Sequence, residues 1–309
     1  MCFALPRLYA ACREKFRQPE NGYGKNRVFG LRRRINEGDN LDLEIKGEHP
    51  LMASPIASVQ LIVFGERSRE DFAGVLRDVA EAGYPAFEGG NLFETYGEET
   101  ARRLLREYHL HVSGAHFGYG DYANPERLAA HIAYAKSLGV RNLMCSGVAD
   151  SKNAAGYKQS AKLFNEVGRR LADEGLVFHY HNHAWEFDDL GGVNGMEILS
   201  EETDPALVKF NIDVFWVWFA YKDPVDFIAH HHARAGYFHF KDGVRETADD
   251  GITRPIFREL GQGEVDLRAA YVAAETVGAD YIVAEQDRTE LSAFDSIVIS
   301  RDYLKSLGV

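Results

Sequence analysis

The 309-residue chain has 45% hydrophobic and 27% charged residues, a globular composition that excludes disorder of the whole. Residues 1–34 carry nine Lys or Arg and two acids, a local charge of +7. Since the whole chain has a net charge of −12, the other 275 residues carry about −19. An acidic body without a basic stripe repels phosphates, which argues against a DNA or RNA partner.

Cysteine content and hydropathy bear on location. Cys2, Cys12 and Cys145 form neither a CxxC pair nor an even-numbered disulfide framework, which suits a reducing compartment. No apolar run reaches the roughly 18 residues of a spanning helix. The apolar stretch at 1–12 is interrupted by proline and arginine and lacks the basic start of a secretory signal. The expected location is therefore the cytoplasm, with no membrane partner.

Residues 1–57 differ from everything that follows. They show no sustained periodicity and are rich in Gly, Asn, Pro and Arg, which predicts a poorly ordered N-terminal extension before a domain over 58–309. Two interpretations of the extension stay open, an oligomer arm or basic docking segment and an adventitious upstream sequence.

From residue 58 a strand, a helix and a glycine follow one another repeatedly. The apolar run 58–64 predicts a strand, and 68–83 predicts a helix that begins at Ser68 and stops at Gly83. Further strands are predicted in YPAFEG, HLHVSGAHF, VRNLMCSG, LVFHYHNH, LVKFNIDVFWV, AGYFHFKDG and DYIVAEQD. Further helices are predicted over 96–108, 125–138, 157–174, 195–202, 223–232, 266–277 and 294–306.

This alternation indicates right-handed βαβ units and a parallel sheet. The sheet is either open and doubly wound or closed into a barrel. Eight strand and eight helix candidates in roughly 250 residues fit a (β/α)₈ barrel. No strand-to-helix turn reads GxGxxG or GxxxxGK[ST]. The sequence therefore favours a (β/α)₈ TIM barrel.

Barrel enzymes place their chemistry at the carboxyl ends of the strands. Polar residues of this chain fall at the ends of strands two, three and five to eight: Glu88, His116, His181, His183, Asp213, His239 and Glu285. In the fifth strand, alternate residues share one face, so His179, His181 and His183 would line a single surface. This coincidence of location is the strongest indication of a functional site.

Two imidazoles and two carboxylates from strands five to eight suit a divalent cation with octahedral coordination. The predicted ligands are His181, Asp213, His239 and Glu285. The expected cofactor is one divalent metal ion, Mn²⁺ or Mg²⁺ first, with Co²⁺ or Zn²⁺ as alternatives. Asp213 lies among hydrophobic residues, where an unpaired carboxylate is costly, so a metal or an arginine must meet it.

The neighbouring polar side chains have structural alternatives to a functional role. His179 is expected to be a hydrogen-bonded interior residue, and His183 to contact substrate or support a ligand. Lys241 shares the parity of His239, so it either pairs with a barrel acid or stabilises an anion and shuttles a proton. Cys145 is expected to be a packed thiol rather than a nucleophile.

Five segments in order, YHNHAWEF, FNIDVFWV, FHFKDG, LGQGEVD and VAEQD, resemble the sugar phosphate isomerase/epimerase family with the xylose isomerase-like TIM barrel, especially its inosose dehydratase-like branch. The resemblance covers about residues 58–308. It implies one divalent metal held from strands five to eight, with Asp213, His239 and Glu285 at matching positions. Many relatives have a glutamate where this chain has His181, which puts a two-carboxylate mechanism in doubt.

The resemblance implies a sugar isomerase or epimerase that moves a proton alpha to a carbonyl through a metal-stabilised enediolate. Glu285 would be one base. Candidates for the second acid/base group are Glu186, Lys241 and Glu88. The expected contacts to a sugar substrate are Glu88, His116 and His183.

Two other functions stay open. A lyase of the same fold would dehydrate an inosose or another keto-sugar, for which a lysine acid and one carboxylate base suffice. The third is a barrel that binds sugars without turnover. No arginine cluster at the strand ends serves a phosphate, which favours an unphosphorylated substrate. The aromatic segment 213–221 indicates a covered pocket or, in a homo-oligomer, contact with a second copy of the chain.

Overall fold

The computed structural model describes residues 54–309, and its strands and helices alternate as predicted. The strands are β1 Ile56–Gln60, β2 Ala86–Gly89, β3 His111–Gly118, β4 Asn142–Ser146, β5 Val177–His181, β6 Val208–Asp213, β7 Ala235–Phe240, β8 Asp242–Thr247, β9 Thr253–Arg258 and β10 Tyr281–Ala284. The predicted extension lies outside the described residues up to 53, and Ile56 and Ala57 already belong to β1.

Twelve α-helices follow or connect these strands within the described part of the chain. They are α1 Arg67–Glu70, α2 Phe72–Glu81, α3 Leu92–Tyr96, α4 Glu98–Glu107, α5 Tyr119–Ala123, α6 Pro125–Leu138, α7 Ala154–Asp173, α8 Gly195–Glu202, α9 Val214–Phe219, α10 Pro224–His230, α11 Leu267–Thr276 and α12 Ala293–Leu307. Between residues 54 and 309, no helix is long and apolar enough to cross a membrane.

The predicted barrel is confirmed. Eight parallel strands close in the order β1, β2, β3, β4, β5, β6, β7, β10, and β10 pairs with β1 to complete the ring. The helices cover its outer surface. Because all eight strands are parallel, their carboxyl ends meet at one mouth of the barrel.

Two strand predictions ran too far because polar side chains begin helices there. The first strand ends at Gln60, whose Oε1 accepts a hydrogen bond from the Ile62 amide at 2.8 Å and starts a 3₁₀ helix. The sixth strand ends at Asp213, which caps α9 by accepting from the Trp216 amide at 2.9 Å. An aspartate at a strand end thus turns the aromatic run into a helix.

The hairpin of β8 and β9 was not predicted. It is inserted between β7 and α11, and its antiparallel register runs from Asp242 opposite Arg258 to Thr247 opposite Thr253. Its base is fixed by the buried Asp242 carboxylate, which accepts four backbone N–H groups, from Gly243, Gly261, Gly263 and Val265. The LGQGEVD segment therefore wraps around one carboxylate.

Alternation along each strand separates an outer and an inner layer. In β5, the rings of Phe178 and Tyr180 pack outward on Phe164 of α7, at centroid distances of 5.1 and 5.3 Å. His179 and His181 consequently point into the barrel. The inner layer also holds a small apolar cluster of Met144, Tyr237 and Val283.

The inner layer has no room for another methyl group at Gly114. A Cβ there would lie 2.1 Å from Met144 Cε and 2.9 Å from the Tyr237 hydroxyl oxygen. We expect Gly114→Ala to lower the free energy of unfolding by about 1–3 kcal/mol, since overpacking displaces both side chains. Denaturant unfolding measures the change. Gly236→Ala is the control, because a Cβ there meets nothing within 4 Å, and equal stability of the two variants would contradict this packing.

Candidate active site

Four buried side chains meet at the barrel mouth: His181, Asp213, His239 and Glu285. Each offers one potential ligand atom, and these atoms all lie within 4.8 Å of one another. They come from the ends of β5, β6, β7 and β10, which the closed barrel places side by side. The structure thus brings together the four residues that the sequence predicts as metal ligands.

Each member of this four-residue cluster has one buried atom that forms no regular hydrogen bond among residues 54–309. The atoms are His181 Nδ1, Asp213 Oδ2, His239 Nδ1 and Glu285 Oε2. Three of them have a charged neighbour within the site, because His239 Nδ1 contacts Glu285 Oε2 and Asp213 Oδ2 lies 3.5 Å from Lys241 Nζ. Two imidazoles and two carboxylates this close together form a donor set that could hold a divalent cation.

Asp213 is oriented by contacts on both sides. Its Oδ1 accepts from the Trp216 amide at 2.9 Å, while the Asn182 side chain accepts from the Asp213 amide at 3.1 Å. Because Oδ1 is occupied by the helix cap, Oδ2 is the oxygen that faces the cluster. Lys241 Nζ lies 3.5 Å from it, so a lysine rather than an arginine meets this carboxylate.

His239 is oriented from below by Glu88. Its Nε2 lies 2.8 Å from Glu88 Oε2, which leaves Nδ1 beside Glu285. A carboxylate that fixes the far nitrogen of a ligating imidazole is a common feature of metal sites. Glu88 is fully buried and also contacts the Tyr237 hydroxyl and His116 Nδ1, both at 2.9 Å. These contacts give Glu88 a positioning role behind His239, and its contact with substrate stays a prediction.

The remaining histidines occupy different environments. His179 is bonded through Nε2 to Asn142 Oδ1 at 3.1 Å, as expected for an interior residue. His116 is partly exposed at the mouth, and its ring centroid lies 5.1 Å from that of His181. His183 stacks on Trp185 with centroids 3.9 Å apart. His116 and His183 therefore both stand next to the cluster, and their contact with substrate stays a prediction.

Negative charge dominates the electrostatics of the cluster. Burial and the nearby Glu285 raise the pKa of Asp213 to about 7, although Lys241 and His239 oppose the shift. Burial alone would lower the pKa of His239, but Glu88 and Glu285 on its two sides raise it to about 10. Burial and the neighbouring imidazoles hold the pKa of His181 well below its usual value. Asp213 and Glu285 thus lie close enough to raise the energy of each other's charged form, and a positive charge on His239 relieves part of this repulsion. The His181 ring stays neutral.

Lys241 is buried among three carboxylates. Its Nζ lies 3.1 Å from Asp287 Oδ1, 3.4 Å from Glu285 Oε1 and 3.5 Å from Asp213 Oδ2. Burial alone would lower its pKa, but these three charges raise it above the usual value, so the amine is protonated. Burial would raise the pKa of Glu285, yet Lys241 and His239 hold it well below the usual value.

Glu186 is not brought to the cluster. Its carboxylate is fully buried, accepting from the Tyr180 hydroxyl at 2.6 Å and from the His183 amide at 2.7 Å. Tyr180 belongs to the outer layer of the barrel, next to α7. Glu186 therefore anchors the loop after β5 from the side of the helices, and its role as a second base stays a prediction.

Sequence reasoning missed two functional neighbours of Lys241. Asp287 lies two residues after Glu285 in VAEQD, so the alternation of an extended segment could have indicated it. The Trp216 ring lies 5.2 Å from Lys241 Nζ and 5.8 Å from the His183 ring. The sequence indicates Trp216 only as one of several aromatic residues in 213–221. These residues have different environments, since Phe215 is buried and Tyr221 is 73% exposed.

A closed parallel barrel that collects imidazoles and carboxylates at its mouth is the architecture of TIM-barrel enzymes. Within that class, the chain belongs to the xylose isomerase-like TIM barrel family, whose family model matches residues 76–307. The predicted resemblance is confirmed at this level.

Relatives of the chain carry different activities in their names. An inosose dehydratase of Lacticaseibacillus casei is 24% identical over 268 residues, covering 75% of this chain and 88% of the relative. A sugar phosphate isomerase/epimerase from Parabacteroides distasonis superposes with a TM-score of 0.68 at 19% identity, covering 82% and 98% of the two chains. A xylose isomerase-like barrel from Mycobacterium smegmatis, in complex with magnesium, has a TM-score of 0.64 at 16% identity, covering 82% and 96%.

We expect Glu186→Gln to change the pH dependence of stability. Burial raises the pKa of Glu186 to about 7, although its hydrogen bonds oppose the shift. Because the folded pKa exceeds the unfolded value of 4.5, the wild type loses stability as pH rises through this interval. Glutamine keeps the shape and carries no charge. Glu186→Gln should therefore gain on the order of 2–3 kcal/mol over wild type at pH 8 relative to pH 4.5.

Chemical unfolding at several pH values checks this expectation. Glu201→Gln serves as the matched control, because it makes the same chemical change at an exposed position. A constant difference between wild type and Glu186→Gln across pH 4.5–8 would show that the pKa of Glu186 is not raised on folding and would contradict the expectation.

Proposed function

We propose that the chain is a divalent-metal-dependent carbon–oxygen lyase that removes water from a polyhydroxylated ketone. His181, Asp213, His239 and Glu285 would hold the metal, since each offers one buried ligand atom and these atoms all lie within 4.8 Å of one another. A bound divalent cation supplies a Lewis acid that polarises the substrate carbonyl. The ion stays unassigned among Mn²⁺, Mg²⁺, Co²⁺ and Zn²⁺, because imidazole and carboxylate donors accept all of them.

The observation that carries the lyase assignment is the pairing of Lys241 with Glu285. Their nearest charged atoms are 3.4 Å apart. Groups acting on opposite faces of a sugar carbon would be separated by two reacting contacts, roughly 6–7 Å. Lys241 and Glu285 therefore address the same side of a substrate. His181 stands where the two-carboxylate mechanism implied by the resemblance would place a second glutamate, so that version of epimerisation lacks one of its two carboxylates.

In the proposed reaction, the Glu285 carboxylate removes the proton alpha to the ketone. The electron pair of that C–H bond becomes the new carbon–carbon double bond, and the C–O bond at the beta carbon breaks. Lys241 gives a proton to the departing hydroxyl, which leaves as water. The proton on Glu285 then returns to Lys241 across the 3.4 Å contact, so both groups recover their starting states.

The named relatives support a small keto-sugar or keto-cyclitol as substrate. The curated relative reported above is an inosose dehydratase, and its likeness spans three quarters of this chain. The structural neighbours named as isomerases show the fold alone at their level of identity. Isomerisation or epimerisation stays the alternative outcome, and it is separated from dehydration by the mass of the product.

Metal binding should depend on Asp213 and not on Asp287, although both carboxylates contact Lys241. We expect Asp213→Asn to weaken Mn²⁺ or Mg²⁺ binding by more than the roughly 10–100-fold typical of an outer residue, and to abolish the rise in Tm that the metal gives. Asp287→Asn is the matched control and should keep both. Metal analysis and thermal unfolding after chelation and reloading measure the effect. Equal loss in both variants would contradict the proposed ligand set.

Incubation with keto-inositol and a panel of neutral keto-sugars tests the reaction. We expect a product lighter by one water and a metal requirement for its formation, and Glu285→Gln should lower kcat by about 10²–10⁴-fold. Mass spectrometry identifies the product. A product of unchanged mass that gains solvent deuterium would establish isomerisation or epimerisation and overturn the lyase assignment.

Lys241→Met separates a leaving-group acid from a structural lysine. We expect its kcat to fall by about 10²–10⁴-fold on a hydroxyl substrate. Turnover of an analogue with beta fluorine should fall much less, because fluoride departs without a proton. Metal content of the variant is the control for an intact site. An equal fall on both substrates would exclude Lys241 as the acid.

A further inference from the structure

A cavity of about 170 Å³ is lined on one side by His116, whose ring centroid lies 5.1 Å from that of His181 in the four-residue cluster. It lies between the segments that follow β1 and β2 and reaches His116 on β3. A single water needs only roughly 10–15 Å³ of such space. The cavity therefore accommodates a group of several heavy atoms beside the reacting centre.

His116 links this cavity to the cluster. Its Nδ1 lies 2.9 Å from Glu88 Oε1, on a carboxylate that also accepts from Tyr237 and His239. Since Glu88 acts as the acceptor, His116 Nδ1 is the donor, which leaves Nε2 for another partner. His116 lines the cavity, so this second nitrogen can form a hydrogen bond with a hydroxyl group placed there.

The lining is half polar and half apolar, and none of the described lining residues is Lys or Arg. The hydroxyl groups of Ser68, Thr95 and Tyr96 donate to backbone carbonyls, so a ligand would meet them as acceptors. Arg69 influences the Tyr96 hydroxyl electrostatically but does not line the cavity. A phosphate dianion would be desolvated here without a charged partner, whereas hydroxyl groups would exchange water for polar contacts.

We propose that this cavity binds the uncharged, hydroxylated part of the substrate that lies away from the reacting carbons. The inference rests on the proposed function and narrows its substrate class to unphosphorylated keto-polyols. His116 would hydrogen-bond one hydroxyl group of the bound polyol and so orient it. Gly90, which has no side chain, would leave room for the polyol in the cavity.

Gly90→Ala tests the cavity with little risk to folding. A Cβ at Gly90 meets nothing within 4 Å, and its backbone is outside the left-handed region. The added methyl group takes space from the bound polyol, so we expect binding about 10-fold weaker or more, in line with one misfitting methyl group. Gly120→Ala is the matched control, because its Cβ also meets nothing and Gly120 does not line the cavity.

Calorimetric titration of the metal-loaded protein with myo-inositol and with inositol monophosphate gives the measurement. We expect the neutral polyol to bind wild type and Gly120→Ala equally, Gly90→Ala at least 10-fold more weakly, and the phosphate ester more weakly than the neutral polyol throughout. Equal binding by Gly90→Ala and wild type, no binding by wild type, or tighter binding of the ester that is lost in Arg69→Ala would each overturn the proposal.

The kinetics keep this proposal separate from the proposed function. If Gly90→Ala releases water from keto-inositol with an unchanged KM, the proposed subsite is wrong and the lyase assignment is retained. If Gly90→Ala weakens polyol binding but the protein releases no water from any ketone, the lyase assignment is wrong and the subsite is retained.

Discussion

Buried negative charge at the mouth of the barrel is the constraint on which the rest of the structure depends. Asp213 and Glu285 are enclosed together, Glu88 lies directly behind His239, and Lys241 is the lysine that contacts the first two. Taking carboxylates out of water is costly unless charge and hydrogen bonds compensate. The raised pKa of Asp213 shows that this compensation is incomplete. A fold that maintains such a centre is suited to a cation and to proton transfer at the same place.

The barrel keeps these charges in register through polar contacts in its interior. The hydroxyls of Ser58 and Ser113 lie 2.7 Å apart, and Ser113 lies 2.9 Å from the Tyr237 hydroxyl, which in turn reaches Glu88. A fully bonded chain of this kind rigidifies the groups that it connects. Strands β1, β2, β3 and β7 are thereby tied to one carboxylate, and the orientation of the His239 ring follows from the closure of the whole barrel.

The sequence contained the barrel and the four-residue cluster because both depend on local rules. Strand and helix periods alternate clearly from residue 58, and alternate positions in β5 fix which histidines face inward. The hairpin was hidden because its strands are polar and Pro255 interrupts β9. The placement of the Glu186 side chain could not be predicted, for another reason. Glu186 lies five residues after His181, but this spacing does not determine whether the loop after β5 turns its side chain toward the mouth of the barrel or toward the helices. The cavity is likewise absent from any single segment, since it exists only between loops that barrel closure brings together.

The anchoring of the hairpin divides the roof of the site into two parts. Asp242 follows Lys241 directly, and its four backbone contacts hold the base of the hairpin against the LGQGEVD segment. The opposite end, around Asp250 and Gly251, is exposed and takes no part in that anchor. Insertions at such an exposed tip are tolerated far better than changes at a bonded base. The tip can therefore vary in length and composition without disturbing the base, where Asp242 fixes the backbone directly after Lys241.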